Sequence, residues 1–235
     1  MEVLLQPEGL IALLTLTLLE IVLGIDNIIF ISIISNKLPE EKQPRARLVG
    51  LALALVMRVL MLLGISWIIS FTEPLFSVFG NEISGRDLIL AIGGLFLIAK
   101  STSEIHGKIE GENPDDKATT ATASFASVIL QIVVLDIIFS LDSILTAIGM
   151  TPELVIMVAA VIIAMIIMMI FSGKISAFIN RHPTLQMLAL SFLILIGFML
   201  VIESLDYHVP KGYIYFSVFF ALIVEVLNMS LRKRK

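Results

Sequence analysis

Long apolar stretches alternate with short polar ones along the whole chain. Seven stretches approach the roughly 20 residues that a helix needs to cross a bilayer, and Leu154 to Phe171 is entirely apolar. Prolines lie in the polar breaks, where the missing N–H removes no helical hydrogen bond. The pattern predicts an all-α polytopic membrane protein with about seven transmembrane helices, at residues 9–35, 48–71, 86–102, 124–150, 153–172, 185–205 and 213–231.

Composition supports this class. The chain is 58% hydrophobic and 15% charged, with a mean hydropathy of +1.02, whereas soluble domains are about 25% charged. It has no cysteine, which excludes disulfides and thiolate metal sites and leaves oxygen as the plentiful ligand. No Lys or Arg precedes Lys37, so the N-terminus lacks the basic region of a cleavable signal peptide and we interpret the first stretch as a span.

The distribution of basic residues predicts the orientation. With the N-terminus outside, thirteen of the sixteen Lys and Arg residues fall in cytoplasmic loops or the C-terminal tail, two fall outside, and Arg58 lies within the second span. Cytoplasmic loops of membrane proteins are enriched in Lys and Arg. We therefore predict a multi-pass membrane protein with an N-out, C-in topology.

Two predicted spans carry the same polar pattern: an acid, three residues, a small residue, one residue, an aspartate and a small polar residue. A carboxylate at membrane depth costs roughly 2.5–3.5 kcal/mol even on the lenient insertion scale. Four such acids in a repeat predict a pathway or binding site for a cation; a purely structural role for them is the alternative. The copies are Glu20-Ile-Val-Leu-Gly24-Ile-Asp26-Asn27 and Asp136-Ile-Ile-Phe-Ser140-Leu-Asp142-Ser143, offset by 116 residues.

The motif offset suggests a duplication. With three spans in each half, the second copy must be inverted relative to the first, and such repeats place substrate sites near the midplane. The predicted 3+3+1 organisation has a first repeat, a cytoplasmic loop, an inverted second repeat, and a seventh helix with a basic tail, at residues 1–105, 106–122, 123–208 and 209–235.

The depth of the acids follows from this topology. Glu20 and Asp136 lie near the middles of their spans. Asp26 is six residues further along, about 9 Å toward the cytoplasm at 1.5 Å per residue, and Asp142 lies a similar distance toward the exterior. The small residues between the acids allow either close helix contact or a local break that exposes carbonyl oxygens. We expect a central acidic pair with one aspartate leading to each face.

We therefore predict a metal site at Glu20, Asp26, Asn27, Asp136, Asp142 and Ser143. Arg58 is a cation within a span and is expected to pair with one of these acids, either as a structural salt bridge or as a movable counter-ion. Glu225 and Asn228 lie three residues apart on the last span and are secondary candidates, as ligands or as residues of the inner membrane interface.

At the two motifs the chain resembles the TerC family of bacterial and plastid membrane proteins, within the LysE-like exporter superfamily. The segments Pro210 to Phe216 and Val224 to Asn228 also resemble that family's C-terminal region. The resemblance implies seven spans and a role in metal handling, chiefly Mn²⁺ export; the family name refers to tellurium-resistance operons. Some members open the second motif with Glu, where this chain has the shorter Asp. The family's motif acids carry over onto Glu20, Asp26, Asp136 and Asp142.

The favoured function is therefore a secondary transporter that exports a divalent cation, with Mn²⁺ as the favoured substrate and H⁺ as a candidate coupling ion. A non-transporting scaffold of a tellurite-resistance or envelope-stress complex and an exporter of amino acids or small solutes stay open as alternatives. No nucleotide-binding or catalytic motif is present, so we expect no enzymatic activity, no cofactor and no nucleic-acid partner. The lipid bilayer and the transported ion are the expected partners.

Overall fold

The computed structural model describes residues 6–78, 81–110, 124–207 and 210–232, without the side chains of Ile25, Asp26, Val78, Asn81, Asp142, Lys211, Tyr215, Ser230 and Arg232. A 3-10 turn (Glu40–Lys42) and an antiparallel hairpin of β1 (Pro74–Val78) and β2 (Asn81–Ser84) accompany the α-helices. The helices within these ranges are α1 (Pro7–Ser35), α2 (Gln43–Leu63), α3 (Ile65–Ser70), α4 (Gly85–Glu110), α5 (Phe125–Met150), α6 (Leu154–Asn180), α7 (Pro183–Glu203) and α8 (Lys211–Arg232).

Seven described helices are long and apolar enough to cross a membrane, which confirms the predicted class. A helix satisfies its backbone hydrogen bonds internally, as the hydrocarbon interior of a bilayer demands. Proline in the first turn of α1, α2 and α7 suits their N-termini, because the first N–H groups of a helix have no intrahelical acceptor.

The predicted boundaries need correction at three spans, of which the one predicted at 153–172 continues to Asn180 as α6. The stretch predicted at 48–71 begins at Gln43 and is divided at Gly64 into α2 and α3. The helix predicted at 86–102 continues to Glu110, so the boundary drawn at residue 105 falls inside α4. Apolarity marks where lipid surrounds a helix, and a helix can continue into water beyond that point.

The helices pack in pairs. The most extensive contacts are between α4 and α7, between α1 and α6, and between α2 and α5, whereas α8 packs mainly against α7 and leaves most of its surface exposed. Gly94 and Gly197 bring the backbones of α4 and α7 together, since a Cβ added at Gly197 would lie 2.7 Å from the Gly94 carbonyl oxygen. The pairing is compatible with an inverted repeat that relates α1, α2 and α4 to α5, α6 and α7. The repeat itself stays a prediction.

Candidate functional site

A buried arginine joins the first acids of the two motifs. Nη1 of Arg58 in α2 donates to Oε2 of Glu20 in α1 at 2.5 Å. Nη2 lies 2.7 Å from Oδ1 of Asp136 in α5, and Nε lies 3.2 Å and 3.1 Å from the Oδ1 and Oδ2 atoms of that carboxylate. Three helices thus meet at one guanidinium. We call Glu20, Arg58 and Asp136 the ion triad.

The ion triad is shielded from solvent. Glu20 and Arg58 are each 3% exposed and Asp136 is 5% exposed. Ser140 lies one turn beyond Asp136 on α5 and donates its hydroxyl to Asp136 Oδ2 at 3.2 Å. With both carboxylates ionised, one guanidinium leaves the triad with a net charge of −1. Because a buried charge is costly unless it is compensated, this excess negative charge favours the presence of another cation.

The helices that carry the motifs are continuous. Helix α1 passes through Gly24 and α5 passes through Ser140 without a break, so the structure contains close helix contact and no local unwinding at these residues. A Cβ on Gly24 would collide with the thioether of Met168 in α6. Gly24 therefore allows α6 to approach α1 one turn from Glu20, while Ser140 supports Asp136.

The small polar residues of the motifs are buried but lie outside the triad. Asn27 is 7% exposed and Ser143 is 4% exposed. The Ser143 hydroxyl donates to the Ser140 carbonyl oxygen at 3.3 Å. The Asn27 side chain forms no hydrogen bond with a described residue. The predicted role of Asn27 and Ser143 as ligands remains a prediction.

The second acids of the motifs, Asp26 and Asp142, lie within the described backbone of α1 and α5, but their side chains are outside the description. Their predicted role in metal binding stays a prediction. Among the described side chains, no group of three or more His, Asp or Glu residues could hold a metal ion. Of the four motif acids, the structure therefore describes the side chains of Glu20 and Asp136, and Arg58 lies between these two carboxylates.

The secondary candidates have different outcomes. Arg58 was expected to pair with one motif acid, and it binds both. Glu225 is half-buried and Asn228 is exposed, on a helix that packs mainly against α7. Since the triad is built from α1, α2 and α5, the structure does not bring Glu225 or Asn228 to it.

A narrow cavity borders Glu20 on the side of the α1 N-terminus. Its walls are apolar apart from the Glu20 carboxylate, and Asp136 is not among the lining residues. Glu20 is therefore the triad carboxylate that faces this cavity, which lies on the exterior side of the triad in the predicted N-out topology. The other lining residues are Leu16, Leu62, Ile144, Ala147, Met157, Ala160 and Val161.

On the opposite side of the triad, α1 and α6 share a polar contact that the sequence analysis missed. The buried hydroxyl of Ser32 donates to that of Ser176 at 2.7 Å. One turn further, Asn36 and Asn180 exchange amide hydrogen bonds of 2.7 Å and 3.0 Å. All four residues pair at the same spacing of 144, so the two helices run parallel. The spacing differs from the motif offset, and hydropathy alone gives no signal for it.

The fold and the site together define a polytopic membrane protein with a buried cluster of acids near the middle of its helices. Comparison with known sequences then gives the family. The chain belongs to the integral membrane protein TerC family, whose model matches residues 5–235.

Similar proteins from two bacteria support this assignment. The chain is 55% identical over 229 residues to the UPF0053 inner membrane protein YgdQ of Escherichia coli K12, covering 97% of this chain and 96% of that protein. It is 51% identical over 228 residues to a UPF0053 protein of Haemophilus influenzae, with the same two coverages. It is 48% identical over 233 residues to YoaE of Escherichia coli K12, covering 99% of this chain and 45% of that longer protein. No solved structure matches the chain. The protein is therefore a multi-pass inner membrane protein.

Proposed function

We propose that this protein is a secondary transporter that exports a divalent metal cation, with Mn²⁺ as the favoured substrate. Glu20 and Asp136 form the centre of the transport site, and Asp26 and Asp142 provide acidic steps toward the two membrane faces. The observation that carries the proposal is the meeting of Glu20 and Asp136, from two copies of one motif, at a buried position with excess negative charge.

The chemistry of the available ligands supports a hard divalent cation. Carboxylate, amide and hydroxyl oxygens suit Mn²⁺, Mg²⁺ and Ca²⁺, while soft metals select thiolates, which a chain without cysteine cannot supply. Mg²⁺ loses its water reluctantly, and the triad has few described ligands with which to replace that water. Mn²⁺ is therefore the substrate to test first.

The sequence contains no ATPase motif, so an ion gradient is the proposed source of energy. Protons are the proposed coupling ion, because carboxylates that release a metal can accept protons in its place.

One observation favours the scaffold alternative: Arg58 already binds both acids, as a purely structural salt bridge would. The same observation argues against an amino-acid exporter. Such a site needs a cation for the substrate carboxylate, and the intramembrane arginine is engaged by two side chains of the protein.

Uptake of Mn²⁺ into everted membrane vesicles with an imposed proton gradient tests the proposal. Vesicles that contain the wild-type protein should accumulate Mn²⁺, and E20Q, D136N, D26N and D142N should reduce uptake to background at equal protein abundance. Glu203→Gln is the matched control, because Glu203 is a buried acid that also faces an arginine, Arg86, at 3.9 Å, outside both motifs. Unchanged uptake in E20Q and D136N would favour the scaffold.

A further inference from the structure

The arrangement of Arg58 bears on how a transport site of this kind is loaded and emptied. Each of the three guanidinium nitrogens lies within hydrogen-bond distance of a motif carboxylate. Arg58 thus occupies the position between Glu20 and Asp136 that a cation shared by the two acids would take. Arginine stays protonated at any accessible pH, so its charge is permanently present in the chain.

Building on the proposed function, we propose that Arg58 is a tethered competitor of the transported cation: its guanidinium pairs with Glu20 and Asp136 in the unloaded state and leaves them when a divalent cation binds.

Charge balance supports exclusive occupancy. Two ionised carboxylates with a divalent cation are neutral, and two carboxylates with Arg58 carry −1. If both cations stayed, the cluster would carry +1 in surroundings where the described triad side chains are 3–5% exposed, and an uncompensated buried charge costs several kcal/mol. The cluster with the divalent cation alone is the neutral one, so cation binding favours departure of the guanidinium from between the carboxylates.

The two carboxylates are held unequally, which gives the exchange an order. Asp136 interacts with Nε and Nη2 of Arg58 and also accepts from Ser140, whereas Glu20 interacts with Nη1 alone. Glu20 also borders the narrow cavity. The guanidinium therefore gives up Glu20 at the loss of one contact and releases Asp136 only as it moves away from the site, and in the predicted N-out topology the cavity at Glu20 lies on the exterior side, where an exported cation leaves.

A tethered competitor lowers the apparent affinity of the site and assists release. If the guanidinium occupies the site for about nine-tenths of the time, its removal raises the apparent affinity about tenfold. Without a cation to replace the metal, two buried carboxylates would remain unpaired after release. Release should therefore slow, and tighter binding should accompany slower transport.

The test compares Mn²⁺ affinity and vesicle uptake of the purified full chain for wild type, Arg58→Met, Arg58→Lys and Arg47→Met. Arg58→Met should bind Mn²⁺ about tenfold more tightly and transport it more slowly. Arg58→Lys keeps the positive charge but lacks the three guanidinium nitrogens, so its affinity for Mn²⁺ should lie between those of the wild type and Arg58→Met. Arg47 is the matched control, since it is also a buried arginine of α2 but forms no ion pair with a described residue.

The outcomes separate this inference from the function on which it rests. Mn²⁺ binding by the wild type with equal or weaker affinity in folded Arg58→Met would overturn the competition and leave the transporter standing. If Arg58→Met does not fold, the affinity of Arg58→Lys decides: a higher affinity than wild type supports competition, and an equal affinity overturns it. Absence of Mn²⁺ binding in all four proteins would overturn the proposed function and the competition together.

Discussion

Gly24 and Met168 touch at a point where no side chain larger than hydrogen fits on α1. A Cβ built on Gly24 would overlap the sulfur of Met168 and lie 2.9 Å from its terminal methyl carbon. The contact is one turn from Glu20, on the side of the Ser32–Ser176 hydrogen bond. Gly24 therefore allows α6 to pack closely against α1 one turn from Glu20 of the ion triad.

Gly24→Ala should lower the melting temperature of the purified protein, because an extra methyl group in a packed core costs about 1–3 kcal/mol. Met168 is flexible, so the cost should lie near the lower end. Met168→Ala alone should cost about 2–5 kcal/mol because Met168 is buried, but the double variant should lose less than the sum of the two single losses, since Met168→Ala removes the atoms that the added methyl group would overlap. Gly173→Ala on α6 is the control, since a Cβ there meets nothing within 4 Å. Equal melting temperatures for Gly24→Ala and Gly173→Ala would contradict this account.

Gly197→Ala should destabilise the protein more than Gly24→Ala does. Its Cβ would lie 2.7 Å from the Gly94 carbonyl oxygen, and a backbone atom cannot move aside as a methionine side chain can. We expect a loss of about 3 kcal/mol or separation of α4 from α7, visible as faster proteolysis in detergent. Gly149→Ala has open space around the added methyl group and provides the baseline. Proteolysis at the baseline rate would contradict this prediction and show that the contact between α4 and α7 tolerates the added methyl group.

Asp136→Asn should destabilise the purified protein more than Glu20→Gln does. Asp136 holds two guanidinium nitrogens and the Ser140 hydroxyl, whereas Glu20 holds one nitrogen. Either substitution leaves Arg58 paired with the other acid, so the difference follows from the contacts that are lost, and each hydrogen bond to a charged group is worth about 1.5–3 kcal/mol. The melting temperatures of the two variants, measured in the same detergent, test this prediction. A lower melting temperature for Glu20→Gln than for Asp136→Asn would contradict the prediction that Asp136 makes the larger contribution to stability.

Hydropathy was sufficient to predict the seven spans, because a bilayer demands apolar side chains along each crossing segment. The repeated acidic motif identified Glu20 and Asp136 as candidate site residues, and the structure shows that both are buried. The hairpin of β1 and β2 was not predicted, since its short strands carry no strong alternation. The extension of α4 to Glu110 was missed because the helix continues past its apolar stretch.

The sequence could not predict which helices meet. Arg58 is 38 residues from Glu20 and 78 from Asp136, so its double pairing depends on how α1, α2 and α5 pack. The Ser32–Ser176 bond depends in the same way on the parallel packing of α1 and α6. Local patterns define the polar residues of a span, while tertiary packing decides their partners.

Cysteine labelling tests the orientation. Thirteen of sixteen basic residues lie on one side of the predicted topology, so Lys42→Cys should resist a membrane-impermeant thiol reagent in intact cells. Glu82→Cys, on the exposed hairpin, should label. The native chain has no cysteine and therefore provides the unlabelled background. The reverse labelling pattern would overturn the topology.

Binding of Mn²⁺ to the purified protein tests the central claim most directly, by the loss of the electron paramagnetic resonance signal of free Mn²⁺ on titration with protein. The account predicts that the wild type and the Glu203→Gln control bind Mn²⁺ in a saturable way, and that the folded double variant Glu20→Gln/Asp136→Asn does not. Saturable binding of equal affinity in the folded double variant would contradict the assignment of Glu20 and Asp136 as the cation site.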